Sequence, residues 1–368
     1  MRAVPSLILI VAFALPGQSR SPIQLANHPS LSPDGRTVAF DWNGDIWTVP
    51  AEGGEARRLT NHPARDTHPV FSTDGKSIAF QSDREGGACV HIMDAGGGDA
   101  RQVTFKTAGT VPLQFTAGGS KLLVEVTRDH NWKHAHRLAL VDISRRAAED
   151  IVFDEAAEAG RISPDCNRIL SVLEGTQWWR KGYHGSHAWQ VWLHDRAKGT
   201  HARLLDNPPV MPGKPVAHHA ERGAHSPLWK PDGKSIAFQS DREGGACVHI
   251  MDAGGGDARQ VTFNTAGTVP LQFTAGGSKL LVEVTRDHNW KHANRLALVD
   301  INRRAAEDIV FDEAAEAGRI SPDGNRILYV REGTQWWRKG YHGSQAWQVW
   351  LHDRAKGTHA RLLDNPPV

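Results

Sequence analysis

Ser32-Pro33-Asp34-Gly35, then Thr37-Val38-Ala39-Phe40, a polar turn, Asp45-Ile46-Trp47-Thr48-Val49, Gly53-Gly54 and Ala56-Arg57-Arg58-Leu59-Thr60, is the stretch from which the fold is read. Alternating β-branched and aromatic positions give it the period of extended chain. Pro-Asp-Gly and Gly-Gly supply residues that reach positive φ in tight turns. The phrase therefore describes four short strands joined by hairpins. A four-stranded sheet this small has two apolar faces and cannot cover either of them itself, so it needs copies of itself as neighbours.

The copies are present. The turn returns at Asp74-Gly75, Gly118-Gly119, Asp165, Asp232-Gly233, Gly276-Gly277 and Asp323-Gly324. Successive spacings from position 34 are 40, 44, 47, 67, 44 and 47 residues, the length of a four-stranded propeller blade. The spacing of 67 holds an inserted loop at 207–225, rich in Pro and His. A larger repeat lies over the smaller one: Asp74–Val210 recurs as Asp232–Val368 at a constant offset of 158. Only Lys106/Asn264, His136/Asn294, Ser144/Asn302, Cys166/Gly324, Ser171/Tyr329, Leu173/Arg331 and His187/Gln345 differ. Copies this alike do not carry different chemistries. The expected fold is all-β, a β-propeller of about seven four-stranded blades near 27–62, 67–106, 111–154, 158–206, 226–264, 269–312 and 316–364.

Composition suits such a fold: 39% hydrophobic residues, 23% charged and 36 glycines. A net charge of +2 lacks the basic surplus that phosphate neutralisation needs, which excludes nucleic acid as the expected partner, although 20 histidines add charge below pH 6.5. Arg2, the apolar run Leu7–Leu15 and the small residues around Gly17-Gln18-Ser19 read as a signal peptide over 1–19. Export to the periplasm or medium is the expectation. The apolar run is too short for a membrane span, no later one approaches the required length, and no cysteine near the cleavage region offers a lipid anchor. Cys89 and Cys247 are one position in two copies, on blades that do not touch, so no disulfide framework is implied. Cys166 stands in a turn where its copy has Gly324, a poor setting for a nucleophile.

Three phrases carry a family resemblance: residues 32–40, residues 231–245 (Pro-Asp-Gly-Lys-Ser-Ile-Ala-Phe-Gln-Ser-Asp-Arg-Glu-Gly-Gly) and residues 249–262. They resemble the WD40-like propeller repeats of TolB and, more closely, the N-terminal propeller of tricorn-type serine peptidases. The closer match rests on Gln177-Trp178-Trp179-Arg180-Lys181-Gly182-Tyr183-His184-Gly185-Ser186 followed by Trp189–Leu193. In that family the nucleophilic serine and its partners lie downstream of the propeller, and no position up to Val368 matches them. The resemblance thus implies a peptidase domain in the intact protein. It leaves two readings: an exported, non-catalytic propeller that binds a protein or peptide, or the substrate-gating propeller of a tricorn-like peptidase without its catalytic domain.

If the strands run outward from the axis, the Pro-Asp-Gly and Gly-Gly turns share one face and the longer loops the other. Long loops on one rim of a rigid scaffold are where binding concentrates. The expected partner-binding residues there are Arg84, Arg128, Trp132, Lys133, Trp178, Trp179, Arg180, Lys181 and Tyr183, with Arg242, Arg286, Trp290, Trp336, Trp337, Arg338 and Tyr341 from the second copy. Arg, Trp and Tyr together are the composition of interaction hot spots and suit an extended peptide. The blander reading is that Asp83 and Arg84 pin a loop through an ion pair and that Trp189 or Trp192 fills space between blades. No catalytic set and no cofactor is expected. His130, His134 and His136, and His218, His219, Glu221 and His225, crowd two loops, but their spacing matches no zinc signature. Gly96-Gly97-Gly98 lacks the strand-to-helix setting of a phosphate loop.

Overall fold

The computed structural model describes residues 27–105, 109–127, 136–145, 150–152, 157–173, 190–204, 224–240, 245–264, 267–285, 294–303, 308–311, 314–331 and 348–362. These residues form seven sheets of four antiparallel strands, each sheet built from four consecutive strands. The protein is a seven-bladed β-propeller. The inner strands are Asn27–Leu31, Asp66–Phe71, Thr110–Phe115, Glu158–Ile162, Ala224–Trp229, Thr268–Phe273 and Glu316–Ile320, which begin blades 1 to 7 in order. Among the described residues there is no helix, and none long and apolar enough to cross a membrane.

The turn phrase folds the way its residues dictate. In blade 1 the Ser32 hydroxyl donates to Asp34 Oδ1 at 2.6 Å, the Arg36 amide donates to the same carboxylate at 3.0 Å, and the Thr37 amide donates to Ser32 Oγ at 2.9 Å. The two bonds to the carboxylate, that from Ser32 first and then that from the Arg36 amide, hold Asp34 below its ordinary pKa. Gly35 takes φ +70°, and a side chain there would sit 3.2 Å from Pro322 of blade 7. The turns of blades 2, 3, 5 and 6 lean in the same way on the blade before them, through Gly75 on Pro33, Gly119 on Thr73, Gly233 on Pro164 and Gly277 on Pro231. The turn ring is thus a contact ring as well. In blade 4 the position is Cys166, at φ +61°, whose sulfur accepts the Ala117 amide at 3.3 Å.

The core divides into seven clusters, each lying between two successive blades. The cluster that joins the ends of the chain pairs Val38, Phe40, Trp47 and Val49 of blade 1 with Leu328, Val349, Leu351 and Leu362 of blade 7. Closure needs no exchanged strand among the described residues: every blade is complete in itself, and the last packs on the first as any other pair does. Arg326 adds an ion pair with Glu52 across this seam at 2.9 Å.

Every inner strand carries a break in its register with the second strand. In five blades the extra residue is a left-handed one that is not glycine: His28, His68, Ala159, Ser226 and Ala317. A bulge bends a strand and re-aims the side chains after it. Around a propeller axis it sets what faces the channel.

Replacing Leu328, which is 1% exposed in the closure cluster, by alanine should remove about 2–5 kcal/mol of stability, the usual range for a truncated core leucine. Arg326→Ala, at an exposed ion pair of the same seam, should cost under about 1 kcal/mol. Urea denaturation of the two variants checks the order; a larger loss from Arg326→Ala would mean that charge, rather than apolar contact, closes the ring.

Candidate functional site

Blade 1 is the blade that has no copy in the chain, and its rim holds a groove. Its second and third strands, Thr37–Trp42 and Asp45–Pro50, are joined by Asn43 and Gly44. Their φ values of 50° and 84° are the two positive values that a two-residue hairpin of this hand requires. The turn places Trp42 opposite Asp45 in the ladder. The Trp42 ring meets Trp47 edge to face, with centroids 5.3 Å apart at 71°. Trp47 is buried, and its indole N–H has no partner among the described residues.

Asp45 is also buried and pairs with Arg58 of the outer strand at 2.6 Å. Burial raises its pKa and Arg58 opposes the rise. Arg58 is held in turn by the Thr60 carbonyl, to which its Nε donates at 2.7 Å. Two open cavities of about 690 and 660 Å³ share Trp42, Asn43, Asp45 and Arg58 as walls. The first extends to Trp47 and Glu55, the second to Asp41, His62 and Arg65. Together they make one groove with an aromatic floor at one end and charged walls at the other. An apolar surface with a few fixed polar groups is suited to an extended segment that brings an apolar side chain.

The groove runs toward a second cluster at the inner strands. His28 and His68 stack with ring centroids 3.6 Å apart. Buried Asp41 lies within 2.7 Å of His28 Nδ1 and accepts the His68 amide at 3.3 Å. Burial, with the charges of His28 and Arg65 behind it, lowers the His68 pKa to about 4 against the pull of Asp41.

Of the residues expected from the sequence to contact a partner, Arg84 is among the described ones. Its guanidinium grips fully buried Asp66 through both carboxylate oxygens, at 2.9 and 3.1 Å, and its Nε donates to Ser82 at 2.9 Å. It also lies over the Phe80 ring, 5.4 Å from the centroid. Arg84 therefore locks the rim end of blade 2. Its partner is Asp66 rather than the adjacent Asp83, which accepts the Arg65 amide at 2.7 Å. Arg128, Trp132, Lys133, Trp178, Trp179, Arg180, Lys181, Tyr183, Arg242, Arg286, Trp290, Trp336, Trp337, Arg338 and Tyr341 lie outside the described residues. So do Trp189, His130, His134, His218, His219 and Glu221. His136 pairs with Glu125 at 3.1 Å. No group of three metal-ligating side chains occurs among the described residues.

Trp42, Asp45, Trp47 and Arg58 were not expected as site residues. Two signals in the sequence pointed to them: tryptophans on both sides of an Asn-Gly hairpin, and the absence of a duplicate for this blade. The duplicated loops, longer and richer in Arg and Trp, drew the reading away.

A closed ring of seven four-stranded blades defines a β-propeller domain. The chain belongs to the tricorn protease N-terminal β-propeller domain family, which it matches over residues 23–221 and again over 216–367. It is 28% identical over 233 residues to tricorn protease homolog 1 of Streptomyces coelicolor, an alignment that covers 62% of this chain and only 20% of that relative. It is 48% identical over 56 residues to the Tol-Pal system protein TolB of Bordetella pertussis, covering 15% of this chain and 13% of TolB. A puromycin-hydrolyzing peptidase of Mycobacterium tuberculosis superposes with a TM-score of 0.65 at 15% identity, over 94% of this chain and 54% of that one. The last likeness is one of fold.

The His68 pKa predicts an acid-sensitive rim. An unfolded histidine titrates near 6.5 and folded His68 near 4, so the unfolded chain binds the extra proton first. The His68 contribution is complete above pH 6.5 and is lost as pH falls toward 4. Melting temperatures at pH 7.5, 5.5 and 4 should fall less steeply in His68→Gln than in the parent chain; parallel curves would show that His68 carries no such linkage.

Proposed function

We propose that this chain is a non-catalytic β-propeller, exported to the periplasm or medium, that binds an extended protein or peptide segment along its loop-rich rim. The observation that supports this most directly is the blade 1 groove, where Trp42 and Trp47 supply apolar contact and Asp45 and Arg58 form a fixed polar wall. Rim residues of the duplicated blades, among them Arg128, Trp132, Lys133, Trp178, Trp179, Arg180, Lys181 and Tyr183 with their copies, are proposed to extend the contact. The apolar run Leu7–Leu15 and the TolB likeness support the compartment.

Family membership favours a second reading. The Streptomyces relative is named a protease homolog, and the alignment spans about a fifth of its length. In this reading the propeller admits or orients substrates for the serine peptidase portion of a larger protein. Both readings place peptide recognition in the propeller and chemistry elsewhere.

Fluorescence anisotropy with a panel of labelled extended peptides, run beside a fluorogenic hydrolysis assay, tests the proposal. Saturable binding without turnover is expected. Trp42→Ala should weaken binding by about 1–3 kcal/mol, five- to a hundredfold or more, as loss of an aromatic anchor does. Turnover by the purified chain would overturn the non-catalytic reading, and binding unchanged in Trp42→Ala would move the site off this groove.

A further inference from the structure

The groove of blade 1 displays a cation that the fold itself does not use. Arg65 stands immediately before the inner strand of blade 2, and the chain there is held by three contacts. The Arg65 amide donates to Asp83 Oδ1 at 2.7 Å. The next amide, that of Asp66, donates to the Gly44 carbonyl in the hairpin of blade 1 at 2.7 Å. The Asp66 carboxylate is gripped in turn by Arg84. Gly44 and Arg65 are so close that a side chain on Gly44 would lie 4.0 Å from the Arg65 Cα.

The Arg65 side chain, in contrast, makes no hydrogen bond or ion pair among the described residues, and Arg65 is exposed. It lines the second cavity of the groove together with Arg58 and His62, both exposed as well. The two carboxylates of that cavity, Asp41 and Asp45, are buried and already engaged. Asp45 is paired with Arg58 at 2.6 Å. Asp41 lies 2.7 Å from His28 Nδ1 and accepts the His68 amide at 3.3 Å. Asp83 takes the backbone amide of Arg65 and is not a wall of this cavity. Glu55, which is exposed, belongs to the first cavity. The charge that the second cavity presents to solvent is therefore positive, and Arg65 carries the part of it that no ion pair offsets.

An unengaged guanidinium on a fixed backbone discriminates partners by charge. Its planar fork takes both oxygens of a carboxylate, which an amide of the same shape cannot match. Trp42 precedes the Asn43-Gly44 turn and Arg65 lies against it, and both are walls of the same cavity. We propose that Arg65 is a specificity-determining residue of the groove, and that the segment it selects carries an aspartate or glutamate about two to three positions from the apolar residue seated on Trp42, the reach of so many extended residues. This rests on the rim-groove reading and adds to it the class of partner: an acidic extended segment rather than a neutral or basic one.

Fluorescence anisotropy of the full chain with three matched labelled peptides tests it: Gly-Ser-Phe-Thr-Glu-Ser-Gly, the same peptide with Gln in place of Glu, and the same with Lys. The Glu peptide should bind about five- to tenfold more tightly than the Gln peptide, as a charge-assisted bond in a partly open site does. The Lys peptide should bind least tightly, and the differences should shrink as sodium chloride is added. In Arg65→Gln the Glu and Gln peptides should bind equally, at the affinity the parent shows for the Gln peptide. Arg65→Lys, which keeps the charge and loses the fork, should keep part of the preference. Because the side chain makes no bond within the fold, Arg65→Gln should melt with the parent, so a lost preference is not lost folding. Trp42→Ala should weaken all three peptides and leave their order unchanged. Equal binding of the Glu and Gln peptides to the parent, or a preference that survives in Arg65→Gln, overturns the role of Arg65 and leaves the groove reading standing. No saturable binding of any of the three overturns both.

Discussion

A four-stranded sheet that cannot cover its own faces is the constraint from which the rest of this structure follows. Each of the seven blades is apolar on both sides, and each of the seven clusters lies between two blades. Stability is therefore a sum of seams, and a ring of blades has no free apolar end only if the last seam forms. That seam is made here by Phe40, Trp47, Leu351 and their neighbours, with no strand exchanged. The closing contact is side-chain packing, so it depends on the shapes of about ten residues rather than on a hydrogen-bonded ladder. The turn glycines have the same logic: Gly35 must be left-handed for the hairpin and must also lack a side chain because Pro322 is 3.2 Å away.

The blade count and strand order were legible because they rest on local chemistry repeated at a period. Pro-Asp-Gly, two alternating runs and Gly-Gly specify four strands wherever they occur, and departures such as Ala117-Gly118-Gly119 leave the hairpin intact. The inner-strand bulges were not legible. The residue that takes positive φ stands directly before proline at His28, His68 and Ser226 and directly before glycine at Ala159 and Ala317. That signal is too common in a chain this rich in Pro and Gly to mark a bulge by itself; the bend is set by the ring as well as by the segment. The groove was hidden for a related reason. In the repeat phrase Trp47 falls in the third strand and Trp42 in the polar turn before it, and neither was singled out; Trp47 is buried, but Asn43-Gly44 brings the two together at the rim where one edge stays open. Arg84 shows the converse: an arginine in a rim loop whose fork is taken by buried Asp66. Composition could place it on the rim, and only the fold could show how its guanidinium is held.

The duplicated block shows which differences the architecture absorbs. His136 Nδ1 lies 3.1 Å from the Glu125 carboxylate, while its copy Asn294 donates to Glu283 at 2.8 Å, so the same strand end is tied by different side chains. Ser144 and Asn302 each donate their amide to the aspartate two residues before them, Asp142 and Asp300. Cys166 and Gly324 both hold the left-handed turn position, at φ 61° and 74°. The glycine does so without the cost that a side chain incurs there, about 1–2 kcal/mol.

One substitution goes further. Tyr329 is the largest fully buried side chain among the described residues, set against Phe311 with its hydroxyl 2.9 Å from His359. Its copy Ser171 is as deeply buried, but its hydroxyl has no partner among the described residues, and Trp192 stacks on His201 at 4.9 Å beside it. A serine in a tyrosine's place loses ring contacts and strands a hydroxyl, both of which destabilise. The seam between blades 3 and 4 is accordingly weaker at this point than that between blades 6 and 7, although the two blocks are nearly the same in sequence. A ring tolerates this because a deficit in one seam is shared by the cooperative closure of all seven.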